Sequence, residues 1–373
     1  MSQKVFYVGI DVDDEHYNGS ALDKCTGDVL DFQCRPTLKG LVQQLNKVQQ
    51  YFGGAHFKLC YEASYVGFSL QRDLKARGFD CEVVAPSSIP RRAGKAVKTD
   101  RIDAKELAEF YANDLFTIVA APDAQTEQDR DPLRSRQQLI QQQGKIRKHI
   151  HSLLRRNGFH YKPETQCKTH WRTHHYGWLD KTIAGCSGSL KVNLSLLLRQ
   201  LRSLDDILAA YGDEVEALAA TPRYREPVKA LICYKGIKNL FALTLITEVG
   251  DVKRYAHPRQ LVSWMGMDIR EYASGGKSNR LGITRQGNPY LRTAFIEANQ
   301  RGYRTDRISK DIKARRASSA PEYIAIADRC LRRLNKKGNR LLFAGKHPNK
   351  VKVACAREMV GFVWESLNRV AAA

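Results

Sequence analysis

The chain has 373 residues, of which 43% are hydrophobic and 27% charged. This is ordinary globular composition, and the length exceeds that of one average domain, so we expect two or three domains. No apolar run approaches the roughly 18 residues of a membrane span, and the N-terminus has no signal-peptide pattern. These features exclude a membrane-spanning protein. The nine cysteines form no CxxC pair, which indicates reduced thiols in the cytoplasm.

The positive charge is concentrated in the C-terminal two-fifths of the chain. The formal net charge is +22; residues 221–373 contain 31 Lys and Arg against 12 Asp and Glu, whereas residues 1–120 are nearly neutral. A one-sided positive field attracts a polyanion through counterion release. Nucleic acid is therefore the favoured partner, ahead of an anionic membrane surface, for which no basic amphipathic anchor stands out.

The first 120 residues alternate between strand and helix patterns. The apolar run VFYVGIDV predicts a strand over 5–12, and two short strands flank Gly27 as a hairpin. A helix over 37–52, a strand over 56–63, a further helix, the strand CEVVAP and a helix capped by Thr99 follow. This order predicts a mixed α/β domain of the ribonuclease-H-like, resolvase type over 1–125. Sugar-kinase and actin-like ATPases share the order, but the acidic segment DDEHYNGS does not resemble their glycine-rich phosphate loop.

The middle of the chain, 126–221, predicts a helical, coiled-coil linker. A long helix is expected over 127–158, and a second carries apolar residues at alternating spacings of four and three. These are Leu190, Leu194, Leu197, Leu201, Leu204, Leu208, Tyr211, Val215 and Leu218. The pattern predicts an antiparallel arm or a dimerisation element, and an ordinary amphipathic helix on its own core is the alternative.

The segment between these helices, 160–185, is rich in histidine and aromatic residues. Cys167, His170 and His174 have the C-x₂-H-x₃-H spacing of zinc ligands, and His175 follows directly. No partner CxxC exists, and Trp171 and Trp178 favour a packing or stacking segment instead.

The last domain, 222–373, is predicted to be basic and mainly helical. A helix–turn–helix pattern surrounds Gly236, and an apolar helix closes the domain over 353–370. Between them, residues 272–290 are rich in glycine and basic residues, and we expect a loop there.

Four carboxylates stand out by their positions. Asp11 and Glu62 lie near the ends of predicted strands, and Asp100 and Asp103 share a face of the first turn of a helix. Such acids repel one another unless a divalent cation neutralises them, and hard oxygen ligands select Mg²⁺ or Mn²⁺ for phosphodiester chemistry. Taken singly, each acid could equally be a turn, cap or helix-dipole residue.

A basic segment precedes and enters the paired aspartates. Its cations are Arg91, Arg92, Lys95, Lys98 and Arg101. Such a segment beside an acidic metal site suits a phosphate backbone, and a solvated loop is the alternative.

Several motifs together resemble one known family. They are GIDV around Asp11, YEASYVG around Glu62, KTDRIDAKELA around Asp100 and Asp103, ASGGK with GITRQGNPYLRTA, and the closing KHPNKVKVACAREMVGFVW. In this order they are similar to the DEDD-type insertion-sequence transposases, which are described as bridge-RNA-guided serine recombinases. The resemblance spans nearly the whole chain.

The resemblance implies a specific chemistry. It implies a Holliday-resolvase-like domain that binds Mg²⁺ through Asp11, Glu62, Asp100 and Asp103, and a C-terminal transposase domain in which Ser274 attacks a DNA phosphate. Lys277 and Arg280 would stabilise the phosphorane, Gly275 would allow close approach of the backbone, and Arg285 would add a phosphate contact. Since the acids and the serine lie in different domains, the resemblance implies a composite site.

The resemblance also implies partners and a location. The partners would be DNA at the element ends and target, a structured guide RNA, and further copies of the chain in a dimer or tetramer, with the 190–218 helix as an interface. The location would be the prokaryotic cytoplasm, at the nucleoid. A metal-dependent junction nuclease without serine chemistry and a non-catalytic nucleic-acid-binding protein are the two alternatives.

Overall fold

The computed structural model describes residues 4–90, 100–274, 277–300 and 302–372. The side chains of residues 87, 100, 101, 274, 277 and 278 lie outside that description. The chain divides into two compact units, Met1–Ala124 and Gln125–Ala373. Each unit has its own hydrophobic core.

The first unit is built on a six-stranded sheet with the strand order β3-β2-β1-β4-β5-β6. The strands are β1 (Val5–Val12), β2 (Tyr17–Asp23), β3 (Val29–Cys34), β4 (His56–Glu62), β5 (Asp80–Val84) and β6 (Ile118–Val119). β1, β2 and β3 are antiparallel neighbours, whereas β1, β4 and β5 run parallel. The predicted mixed α/β domain is confirmed, and the sheet gains the two-residue strand β6, which is too short to leave a periodic pattern.

Three helices cover the two faces of this sheet. They are α1 (Leu38–Tyr51), α2 (Ser69–Lys75) and α3 (Asp100–Ala112). The hydroxyl of Thr37 caps α1 by accepting a hydrogen bond from the Gly40 amide at 3.1 Å. On that face, Leu41 and Leu45 of α1 and Leu74 of α2 pack against alternate residues of β1 and β4. α3 covers the opposite face, where Leu107 and Tyr111 pack against Cys60 and Val84.

Gly9 allows α3 to lie directly on β1. A Cβ atom at Gly9 would lie 2.2 Å from the carbonyl oxygen of Ala104 and 2.5 Å from the amide nitrogen of Ala108. Further along, the rings of Tyr7 and Tyr111 meet edge to face at 5.5 Å. The chain direction of α3 is therefore antiparallel to that of β1. The N-terminal end of α3 consequently lies at the carboxyl ends of β1 and β4.

The second unit is mainly helical. Its helices are α4 (Ala124–Arg156), α5 (Tyr161–Thr165), α6 (Thr173–Gly185), α7 (Gly188–Ala220), α8 (Arg225–Leu231), α9 (Asn239–Val249), α10 (Pro258–Trp264), α11 (Pro289–Ala298), α12 (Lys310–Arg316), α13 (Pro321–Phe343) and α14 (Pro348–Val370). No helix in the described ranges is both long and apolar enough to cross a bilayer.

The two predicted long helices form an arm together with α6. Leu194, Leu201 and Leu204 of the predicted repeat are buried against α4 and α6. The side-chain amide of Gln143 on α4 donates to Asp205 on α7 at 2.5 Å, while Asp129, nearer the start of α4, accepts from the hydroxyl of Tyr224, just after α7, at 2.6 Å. α4 and α7 are therefore antiparallel, and the repeat finds its packing partners within the chain.

The segment 272–290, predicted as a loop, contains part of a β-hairpin. β7 (Ile269–Ser274) pairs antiparallel with β8 (Lys277–Ile283). The prediction was wrong because it weighted glycine content and overlooked that Gly-Gly between two short runs is a hairpin signal. Around the hairpin's base, helices α8 to α11, α13 and α14 share one large core.

Candidate active site

Two of the predicted acids lie next to each other at the carboxyl ends of parallel strands. The register pairs Ile10 of β1 with Tyr61 of β4, so the next residues, Asp11 and Glu62, are neighbours across the two strands. Asp11 lies two residues after Gly9 and therefore points to the face that α3 covers. Asp11 is half-buried and Glu62 is exposed. Both residues thus lie at one edge of the sheet.

The third described acid comes from α3. Asp103 is half-buried and lies one turn before Leu107, which packs on the sheet. Asp100 is the first residue of α3, and its side chain lies outside the described part. The packing of α3 on Gly9 therefore brings this end of the helix to the strand ends that carry Asp11 and Glu62.

The described acids Asp11, Glu62 and Asp103 do not form a tight cluster. Among the described His, Cys, Asp and Glu side chains, the group that brings three ligand atoms within 4.8 Å of one another consists of His151, His170 and His175. Asp11, Glu62 and Asp103 belong to no such group in this part of the chain. Their donor set consists of carboxylate oxygens only, which is the chemistry that a hard divalent cation requires.

Most of the predicted phosphate-contacting residues near the acids lie outside the described residues. Arg91, Arg92, Lys95 and Lys98 belong to the segment 91–99, and for Arg101 only the backbone is described. Their contribution to the site stays a prediction.

The β7–β8 hairpin carries the predicted nucleophile at its tip. Ser274 ends β7 and pairs with Lys277, the first residue of β8; their side chains, and Gly275, lie outside the described part. Arg280 is exposed and lies 3.2 Å from Glu271 on the facing strand. Arg285, also exposed, follows β8 with a φ of 60°.

Backbone contacts anchor the base of this hairpin to the end of α10. The amide of Thr284 donates to the carbonyl of Asp268 at 2.8 Å, and the amide of Arg285 donates to that of Gly266 at 2.9 Å. Gly266 has a φ of 67°, and a Cβ atom there would lie 2.4 Å from the carbonyl oxygen of Gln286. Only glycine fits both the conformation and the space, so the base is held in one position.

A buried ion-pair network supports the same region. Glu248 on α9 is almost fully buried and receives two hydrogen bonds from Arg134 on α4, at 2.7 and 2.9 Å. Asn288, which caps α11 just after the hairpin, donates its side-chain amide to Glu248 at 2.7 Å. Sequence reasoning missed this network because its members are 40 and 114 residues apart and no local pattern links them.

Sequence reasoning also left the basic surface unassigned. On α13, Arg332, Lys336 and Arg340 lie four residues apart on one helical face and are exposed. They form no ion pair within the described residues. On the neighbouring face, Arg333 pairs with Glu358 of α14 at 2.7 Å. We call Arg332, Lys336 and Arg340 the α13 stripe.

Comparison with known families matches both units. A family model of DEDD-type IS110 transposases matches residues 8–158. A second, described as the transposase IS116/IS110/IS902 family, matches residues 228–314. The first match includes Asp11, Glu62, Asp100 and Asp103, and the second includes the β7–β8 hairpin.

Individual relatives extend the match over most of the chain. A protein of Sinorhizobium fredii that bears a transposase name, y4qE, is 31% identical over 309 residues, which is 83% of this chain and 75% of that protein. The transposase for insertion sequence element IS1533 of Leptospira borgpetersenii is 29% identical over 344 residues, 90% of this chain and 96% of its own length. The transposase for IS1111A of Coxiella burnetii is 26% identical over 229 residues, 60% of each chain. With these matches in the same order as the motifs, the chain belongs to the IS116/IS110/IS902 family of transposases.

Proposed function

We propose that this protein is the DNA recombinase of an insertion sequence, which cuts and rejoins donor and target DNA through a covalent phosphoserine intermediate. The observation that carries the proposal is the packing of α3 on Gly9 of β1. This packing brings the helix end with Asp103 to the strand ends with Asp11 and Glu62, where Glu62 is exposed.

The proposed fold of the first unit is ribonuclease-H-like. Its support is the sheet order β3-β2-β1-β4-β5, in which an antiparallel meander joins parallel strands, together with the acids at the ends of β1 and β4. A carboxylate set at this edge suits Mg²⁺ or Mn²⁺, held by Asp11, Glu62, Asp100 and Asp103. When bound, such a cation neutralises phosphate charge and lowers the barrier to substitution at phosphorus.

The protein's own residues supply the covalent step. The Ser274 oxygen forms a bond to phosphorus while the bond from phosphorus to one deoxyribose oxygen breaks. The serine proton passes to a base, and the departing sugar oxygen takes up a proton. Attack by a sugar hydroxyl of the partner strand reverses the step and frees Ser274. Lys277, Arg280 and Arg285 would balance the negative charge at phosphorus.

The proposed partners are DNA and a structured guide RNA. The net charge of +19 in residues 221–373 and the α13 stripe support polyanion binding. Because strand exchange joins four DNA ends, we also propose that the protein acts as a dimer or tetramer.

A denaturing gel tests the proposal directly. Element-end DNA, the element's RNA and Mg²⁺ are incubated with the full chain, and protein–DNA adducts are resolved. We expect an adduct for the wild type and none for Ser274→Ala, Asp11→Ala or the chelated sample. Ser278→Ala, a serine on the same hairpin, is the matched control and should retain the adduct.

The two alternatives give different outcomes in the same gel. A metal-dependent junction nuclease would still cut DNA after Ser274→Ala, without an adduct in any sample. A non-catalytic nucleic-acid-binding protein would neither cut nor form adducts, and chelation would change nothing but affinity. Either result would overturn the serine mechanism.

A further inference from the structure

Three histidines from separate segments of the second unit face one another. His151 is on α4, His170 lies in the irregular segment after α5, and His175 is in the first turn of α6. Each offers a ring nitrogen, and the three atoms all lie within 4.8 Å of one another. None of these residues takes part in the transposase chemistry proposed above.

The centre of this group is a buried ring with an unused nitrogen. His175 is 0% exposed. Its Nδ1 accepts a hydrogen bond from the backbone amide of Trp171 at 3.1 Å, while its Nε2 is buried without a hydrogen-bond partner in the described structure. A buried polar atom that lacks a partner destabilises the fold, so a ligand at Nε2 would remove a penalty that the fold now carries.

Aromatic rings enclose His175 on several sides. The ring centres of Tyr161 and Trp171 lie 4.4 and 4.7 Å from that of His175, and Trp178 stacks at 5.8 Å. Burial lowers the pKa of His175 to about 4, and burial also lowers the pKa of His151.

We propose that His151, His170 and His175 form a binding site for one divalent transition metal of the Zn²⁺ class. Imidazole nitrogens suit Zn²⁺, Co²⁺ and Ni²⁺ rather than Mg²⁺. The site joins the irregular segment 166–172 to α4 and α6, and three ligands leave a fourth position for water or a further group. This inference does not rest on the proposed transposase mechanism.

The set differs from the one that the C-x₂-H-x₃-H spacing suggests. Cys167 directs its thiol to the Thr169 carbonyl, and Nδ1 of His174 shares a hydrogen bond with the Tyr161 hydroxyl at 2.9 Å. His151, 19 residues before His170, takes their place. The fold therefore selects a set that spacing alone does not indicate.

Coordination requires a small, defined rearrangement. Zn–N bonds of 2.0–2.1 Å place tetrahedral ligand atoms about 3.4 Å apart, so nitrogens that lie up to 4.8 Å apart must draw together by up to about 1.4 Å. Binding through Nε2 of His175 moves the ring proton to Nδ1, which can then no longer accept from the Trp171 amide. One hydrogen bond is exchanged for a metal bond, and the surroundings of Trp171, whose φ is 60°, change.

Titration with Co²⁺ tests the site. The full chain is prepared with Asp11→Ala, to weaken cation binding at the acidic edge, and is freed of metal with a chelator. We expect one Co²⁺ per chain, visible d–d absorption typical of tetrahedral sites, displacement by Zn²⁺, and a change in tryptophan fluorescence. His170→Ala, in the irregular segment, should weaken binding at least tenfold while the circular dichroism is retained. His151→Gln should do the same.

The control variant is His149→Ala, an exposed histidine two residues before His151 on the same helix. It should bind Co²⁺ like the parent protein. The site is refuted if the parent binds no Co²⁺ at micromolar concentration, or if His170→Ala and His151→Gln bind Co²⁺ as the parent does. Octahedral absorption that persists in both variants would place the ion elsewhere and would likewise refute it.

Discussion

At the scale of single residues, Gly9 determines where the N-terminal end of α3 lies relative to the strand ends with Asp11 and Glu62. Its missing side chain lets the backbone of α3 rest on β1. In Gly9→Ala the new methyl group would overlap the Ala104 carbonyl, so α3 must shift away from the sheet. We expect a loss of about 3 kcal/mol in the free energy of unfolding, by analogy with other overpacked cores, and a strong loss of Mg²⁺-dependent DNA cleavage. Urea unfolding and the adduct gel measure the two effects.

Gly212 provides the matched control for Gly9. It lies inside α7, and a Cβ atom there would meet nothing within 4 Å. Gly212→Ala should therefore stabilise the protein, by up to about 1 kcal/mol, because alanine favours helix more than glycine does. If both substitutions change stability in the same direction, close packing at Gly9 is not what positions α3.

Glu248 links Arg134 on α4 to Asn288, which caps the helix that follows the hairpin. Its side chain is 2% exposed, and it is paired with Arg134 and bonded to Asn288. Glu248→Gln leaves the partly buried arginine without its counter-charge, which costs about 3 kcal/mol when a buried pair is broken. We expect a lower urea midpoint and a reduced adduct yield, since Asn288 begins the helix that follows the hairpin.

The exposed pair of Glu226 and Lys229 is the comparison for Glu248. Their side chains meet at 2.8 Å, and Glu226 is 55% exposed. Glu226→Gln should cost about 0.5 kcal/mol or less and should leave the adduct yield unchanged. Equal losses from the two substitutions would contradict a specific role for the buried network.

At the scale of elements, the α13 stripe predicts how the protein holds a nucleic-acid backbone. Each exposed cation that contacts a phosphate releases counterions when it binds. In a triple variant, Arg332, Lys336 and Arg340 are each replaced by Gln. The negative slope of log affinity against log salt should become shallower by about 3 units, on duplexes of any sequence. Fluorescence anisotropy over a series of salt concentrations gives the slope.

Arg333→Gln removes the same charge from the same helix. Because Arg333 is already paired with Glu358 at 2.7 Å, this variant should leave the salt slope near the wild-type value. If Arg333→Gln makes the slope shallower by as much per removed charge as the triple variant does, affinity depends on net charge alone. The α13 stripe is then not a contact surface.

The elements that the sequence predicted well are those with strong local periodicity. The strand over 5–12 has the bounds that the structure shows, and the helix over 37–52 differs by one residue at each end. The described residues of β7 and β8 are mostly exposed, so no buried face imposes alternation on these strands, and the Gly-Gly pair between them was the signal that was overlooked. Local patterns thus reveal an element when burial selects its residues.

The candidate site also combines features that local sequence patterns predict with features that depend on long-range contacts. Asp11 and Glu62 could be proposed from sequence because acids at the ends of apolar strands form a local pattern. The register that makes them neighbours, and the place of α3 above Gly9, depend on pairing between residues about 50 and 100 positions apart. The same holds for Glu248 with Arg134 and for His151 with His175, which no local spacing relates.

At the scale of the whole molecule, the heptad repeat of α7 accounts for only one of its apolar faces. Leu194, Leu201 and Leu204 are buried inside the chain, whereas Val192, Leu196 and Ile207 are 59%, 50% and 42% exposed. Exposed apolar residues grouped along one helix are typical of an association surface. This second face is where we expect copies of the chain to meet in the proposed dimer or tetramer.

The double substitution Val192→Asp with Leu196→Asp tests this assembly without touching the inner face. Removing two buried apolar contacts of about 1.5 kcal/mol each weakens association roughly a hundredfold, and two added negative charges on each copy would repel. Sedimentation velocity should show a shift from oligomer to monomer at micromolar concentration. Tyr51→Asp, at a side chain that is 76% exposed on α1, should leave the mass unchanged. An oligomer that survives the α7 substitutions must be held together by another surface, and the outer face of α7 would then have no part in bringing the DNA ends together.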